Sequence, residues 1–190
     1  MDAPHPITPT VAVGRTLLVG PGGDVILVDL GSAGADPVEV TRRVSELVGS
    51  GVAVAVQGVG PAAAVAAAEA GAVVLVGGGS GASGVEGATA LAEAGVPVER
   101  LLVEVPFGAG SMPTSAIHRV TDAGFEVAVV LQPPHQAAGS HDGWQIGALA
   151  QVLALDVAAV RGVAPERFRR VAAVVAAIDS ARADGQGARP

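Results

Sequence analysis

Residues 101–113 read LLVEVPFGAGSMP. Four of the first five are aliphatic, the pattern of a strand buried on both faces, which belongs to a parallel sheet covered by helices. Glu104 interrupts that pattern, and a glycine-rich turn follows it. A carboxylate is costly to bury without a partner. If the strand is parallel, Glu104 lies near its carboxyl end, the edge at which such sheets hold ligands. There it faces a cavity in which a ligand or an arginine can pair with it.

Outward from that stretch, apolar runs alternate with alanine-rich helical segments. TLLVG (16–20) and DVILVDL (24–30) are separated only by PGG, too short for a crossover helix, and read as a hairpin or two strands with a collapsed connection. A helix then runs from about Asp36, where D-P-x-E supplies an N-cap and a proline at the first helical position, to Val48. Further strands are expected at 52–56, 72–76, 101–105, 127–131 and 157–160. Helices are expected at 61–70, 84–94, 114–123, 143–155 and 165–183. The fold class is therefore α/β: a parallel (β/α) barrel, TIM-barrel-like but truncated, with about seven strands. The 190 residues suffice for one domain over 15–183, with Pro- and Gly-rich ends at 1–14 and 184–190 expected to be flexible tails.

Composition narrows the chemistry. All eleven basic residues are arginine, and lysine, asparagine, tyrosine and cysteine are absent. Schiff bases and a P-loop lysine both need a primary amine and are excluded, as are disulfides, thiolate nucleophiles and cysteine metal sites. A net charge of −7 with three Phe and one Trp argues against nucleic acid. The most apolar region, 52–79, is broken by Gln57, Pro61, Glu69 and several glycines, so no membrane span is expected. The N-terminus MDAPHPITPT lacks the basic and apolar regions of a signal peptide, and a cytoplasmic protein is expected.

Three constellations can be weighed from the residues alone. GGGSGASG (77–84) follows a strand and opens a helix, and with Glu104 ending the next strand it offers a dinucleotide-type turn. The acid lies some five residues too far along for that motif, and the alternative is a plain βα loop in a glycine-rich chain. His135, His141 and Asp142 share one loop, but without helical spacing or a third ligand they read as solvated, and no metal or cofactor is expected. Trp144 is expected to anchor that loop on the core. Arg161, at the end of the last strand, can pair with Glu104 or clamp an anion, and Arg167, Arg169 and Arg170 read as a solvated helix face.

With these segments in order, the chain resembles dihydropteroate synthase, the pterin-binding barrel of the folate pathway. ATALAEAGVPVERLLVEVPFGAGS (88–111) resembles that family's A-G-hydrophobic-x-x-E-R-I-x-L-D-P-G-x-G-F-G-K stretch, and GFEVAVVLQPPH (124–135) sits where it has G-F-P-V-L-V-G-x-S-R-K-S. VAAVRGVAPERFRRVAAVVAAID (157–179) resembles its closing V-R-V-H-D-V segment and last helix. ILVDLGSAGADP (26–37) is similar to I-I-D-x-G-G-E-S-T-R-P-G-A. VAVQGVGPAAAVAAAEAGAVVLVGG (54–78) is similar to V-S-V-D-T-x(3)-V-A-x-x-A-L-x-A-G-A-D-I-I-N-D-V.

The resemblance implies a pterin-like ligand held by Glu104, Asp29, Gln57, Gly108, Gly110 and Arg161. It also shows what has changed. The Asp ending the family's third strand is here Gln57, and its pterin-binding Asn falls at Val76. Its pterin-binding Asp becomes Glu104, its S-R-K lysine falls at Pro134, and its last-strand Arg and His fall at Ala159 and Arg161. The loop with the magnesium-binding Asn has no counterpart between Val19 and Asp24. The first crossover helix and the fifth strand unit are missing too. A transferase that expels diphosphate needs cations or donors at the site. The expectation is therefore a catalytically degenerate, ligand-binding or oligomerising protein, with an active dihydropteroate synthase and a doubly wound nucleotide-binding domain as alternatives. A sheet short of a strand has exposed edges, so a homodimer or a complex covering them is expected.

Overall fold

The computed structural model describes residues 17–20, 23–29, 36–77, 81–108, 113–132, 141–155 and 157–187. Its strands are β1 (Leu17–Gly20), β2 (Gly23–Asp29), β3 (Val54–Gln57), β4 (Val73–Gly77), β5 (Leu101–Phe107), β6 (Glu126–Leu131) and β7 (Ala159–Arg161). They form a closed ring in sequence order. The helices are α1 (Pro37–Gly49), α2 (Pro61–Glu69), α3 (Ala82–Glu93), α4 (Thr114–Asp122), α5 (His141–Leu153) and α6 (Pro165–Gly187).

The expectation of about seven strands in a parallel barrel needs correction. Only five strand pairings are parallel, those linking β2 through to β7. β1 is antiparallel to both of its neighbours. The turn explains this: Gly20 and Gly23 are already paired, so the connection is a tight hairpin and β1 has to run backwards. β1 then reaches β7 through the pairs Leu18–Arg161 and Val19–Val160. The exposed edges expected from a missing strand are thus absent among the described strands, and with them the physical reason for a covering partner. Gly20 makes the closure possible, since a Cβ there would lie 2.4 Å from the Ala158 carbonyl oxygen.

Sequence order around the ring, with no reversal, also rules out the doubly wound arrangement and its switch point. Helix bounds differ modestly from expectation. α3 and α5 each begin two residues early, and α6 continues to Gly187 rather than ending at 183. The start of α1 is as read: the Asp36 carboxylate accepts from Val38 N at 3.1 Å, and Pro37 opens the helix. The 1–14 segment lies outside the described residues. No described helix is long and apolar enough to cross a membrane.

Strand alternation divides the core in two. Val54, Val56, Val74, Leu101, Val103, Val105, Val127, Val129 and Val160 face outward onto the helices. The interior is small: Ala55, Leu75, Leu102, Ala128 and Ala159, with Val25, Val73 and Ala158 beside them. Alanines inside and along the buried face of α2 (Ala63, Ala64, Ala67, Ala68) let a narrow ring and close helix packing replace bulk. By the same period of two, Gln57, Gly77, Glu104, Pro106, Val130 and Arg161 form the inward layer at the carboxyl end. The fold thus sets polar side chains at the mouth of a barrel filled by apolar ones.

Candidate functional site

Three of the six expected site residues meet at that mouth. Arg161 Nη1 donates to Glu104 Oε1 at 2.6 Å and to Gln57 Oε1 at 3.2 Å. One guanidinium nitrogen on β7 therefore ties β3 to β5 across the opening. The side chains of Arg161 and Glu104 keep 23% and 15% of their exposure. This answers the cost of the carboxylate: it is held by a charge-assisted hydrogen bond and is wet enough to exchange. Among the described residues Glu104 Oε2 makes no bond, and neither do Arg161 Nη2 and Nε.

Gly77, the register partner of Glu104, puts no side chain beside that carboxylate, and a Cβ there would make ordinary contact with Oε2 at 3.8 Å. Asp29 is the register partner of Gln57, which places its backbone at the same level of the ring. Gly108 directly follows β5, where Gln132 N donates to Phe107 O at 2.8 Å and ties the ends of β5 and β6 together. Gly110 lies outside the described residues, as does His135. Val76, aligned by sequence with a pterin-binding Asn, packs on the helix side of β4 instead. The inward position at that strand end is Gly77.

The expectation of a solvated Arg167 is corrected. It pairs with Asp142 at 2.9 Å and donates to Gln145 Oε1. Gln145, the only buried polar side chain among the described residues, in turn donates through Nε2 to the Gly162 carbonyl. Gly162 follows Arg161 with φ +89°, and a Cβ there would sit 2.7 Å from Leu131 O, so glycine is required. The chain Asp142–Arg167–Gln145–Gly162 fixes the turn that presents Arg161. Sequence reading missed Gln145 because a polar residue within WQIGALAQVL looks like part of a solvated helix face. Its spacing from the buried Ala148, Leu149 and Val152 was the available signal. Trp144 does anchor α5: its ring lies 5.9 Å from that of Phe107 at the end of β5. Arg169 and Arg170 are exposed as expected.

Among the described side chains, the mouth offers one carboxylate, one amide and one guanidinium with donors to spare.

No protein-family model matches the chain, and no curated protein matches it in sequence. Among solved structures it is similar to Mycobacterium tuberculosis Rv1207, with 21% identity over 86% of this chain and 83% of that one and a TM-score of 0.51. It is also similar to Burkholderia cenocepacia dihydropteroate synthase complexed with 7,8-dihydropteroate, at 17% identity, 86% and 84% coverage and a TM-score of 0.52. A third neighbour is Yersinia pestis dihydropteroate synthase with a pterine-sulfa conjugate, at 13% identity, 81% and 83% coverage and a TM-score of 0.50. Identities this low establish a shared fold.

Proposed function

We propose that this chain, whose fold is that of the dihydropteroate synthases, binds a pterin-type small molecule at the barrel mouth and does not carry out the transferase reaction. The observation that carries the reading is Glu104: an inward carboxylate at the mouth, one oxygen without a partner among the described residues, beside Gly77, which has no side chain. A carboxylate of this kind suits a ring edge with two adjacent N–H donors, such as an amino-pyrimidine. That two structural neighbours were determined with pterin compounds supports the choice of ligand class.

The second half of the proposal rests on charge. Expelling diphosphate requires cations positioned where negative charge develops. The chain has no lysine, and a single guanidinium is described at the mouth, against a leaving group of several negative charges. The closed ring needs no partner to cover an edge, so the reading does not depend on assembly.

Isothermal titration with a dihydropterin tests the binding claim. A saturable heat with the wild type, lost in Glu104→Ala, is expected; no heat with either protein overturns it. Incubation with dihydropterin diphosphate and 4-aminobenzoate tests the other claim. No dihydropteroate is expected, and steady product formation abolished by Glu104→Ala would refute degeneracy.

A further inference from the structure

We infer that Arg161 is a built-in competitor for the ligand edge of Glu104, a specificity-determining residue that admits a donor edge only when it is moved aside. The inference deepens the proposed function and rests on the same site. A guanidinium presents paired N–H donors to a carboxylate, and so does an amidine-like ligand edge. Arg161 already fills half of that role, with Nη1 on Glu104 Oε1 at 2.6 Å. An incoming ligand that needs both oxygens meets an occupied position, and its apparent affinity falls by the fraction of time the arginine is engaged.

The geometry also provides the way out. The same Nη1 bonds Gln57 Oε1 at 3.2 Å, on the far side of the mouth. A small swing of the guanidinium trades the carboxylate for the amide, leaving one donor satisfied throughout. Gln57 being uncharged matters here: a carboxylate at that position would hold the arginine from both sides. Nη2 and Nε have no partner among the described residues and are donors that an anion can use. An anion alone would sit near the charged Glu104 and be repelled. Once a donor edge satisfies Glu104, that repulsion is offset and Arg161 is free to hold the anion. Ligand edge and anion should therefore bind with positive coupling, and the coupling is reciprocal. The favoured ligand carries an amidine-like edge, and a separate or attached anion assists its entry.

The test uses two probes. Methylguanidinium stands in for the donor edge and requires no pterin binding. It is expected to raise the melting temperature of Arg161→Ala and of Arg161→Met, but not of the wild type or of Arg161→Ala/Glu104→Gln. Far-ultraviolet circular dichroism of each variant checks that it is folded, and the methionine variant keeps the packing of the stem. No shift in either folded variant overturns the competitor role. The second probe is a dihydropterin titrated with and without inorganic phosphate. Phosphate should tighten wild-type binding at least threefold and leave Arg161→Met, expected to bind at least tenfold more tightly, unaffected. Phosphate that weakens wild-type binding, or an Arg161→Met that binds less well, overturns the inference. Methylguanidinium rescue without any pterin binding would leave the gate standing and remove the pterin reading. Pterin binding indifferent to both phosphate and Arg161 would do the reverse.

Discussion

A double-mutant cycle on Glu104 and Arg161 measures the contact on which the site depends. Their bonded atoms are 2.6 Å apart, which puts the charge centres at about 4 Å, where Coulomb's law gives about 4 kcal/mol at an effective dielectric of 20. Screening and desolvation both reduce that figure, because roughly a fifth of each side chain remains in contact with water. Glu104→Ala leaves Arg161 half-buried with only the Gln57 amide, and Arg161→Ala leaves a half-buried carboxylate without a described partner. Each single variant should lose about 2 kcal/mol, the double variant about 2–3 kcal/mol, and the coupling should come to about 1–2 kcal/mol. Urea unfolding followed by circular dichroism reads these values. For a chain of this size the single variants should melt about 4–8 °C lower. Strict additivity, or single variants within about 0.5 kcal/mol of the wild type, would refute the cross-mouth ion pair as described.

Three further outcomes follow from the fold. Gly162→Ala forces a side chain into φ +89° and against the Leu131 carbonyl, and should cost about 3 kcal/mol in urea unfolding, where Gly143→Ala, with open space around it, should not. Leu149→Ala empties a fully buried position between α5 and the sheet and should cost about 3 kcal/mol, with unchanged titration behaviour at the mouth. On α1, Arg42 hydrogen-bonds Glu39 and holds its carboxyl below the usual value. A lowered folded-state pKa contributes stability above the unfolded value near 4.5 that is lost as pH falls through the folded value. The small gap between wild type and Arg42→Ala should therefore close on acidification, and in high salt, in parallel denaturant titrations.

Much of this was legible because it is local. PGG between two apolar runs leaves no room for a crossover, so the hairpin could be read, and D-P-x-E marked the start of α1. Glu104 stood out as a carboxylate in a doubly buried strand, and Arg161 as the cation at an equivalent strand end, so their meeting could be anticipated. What escaped depends on pairing at a distance. Nothing in LLVG says that it will lie against AVR, some 140 residues on, so ring closure was not foreseen and a partner was invoked to cover an edge that the described strands do not leave. Inward or outward direction at a strand end turns on register: a one-residue choice separates Val76, facing the helices, from Gly77, facing the mouth. Gln145 and Arg167 looked like surface residues because only the packing of α5 on α6 shows them joined behind the turn that carries Arg161.

The backward course of β1 also fixes where the two ends of the described barrel, Leu17 and Gly187, lie. Leu17 is level with Ile26, towards the rim that carries the Glu104–Arg161 pair, whereas α6 starts at that rim and descends for roughly 35 Å away from it. A group attached at Leu17 itself is therefore delivered to the rim that carries the Glu104–Arg161 pair. The same addition after Gly187 is carried to the opposite pole, which makes the carboxyl terminus the safer place to immobilise the protein for binding measurements.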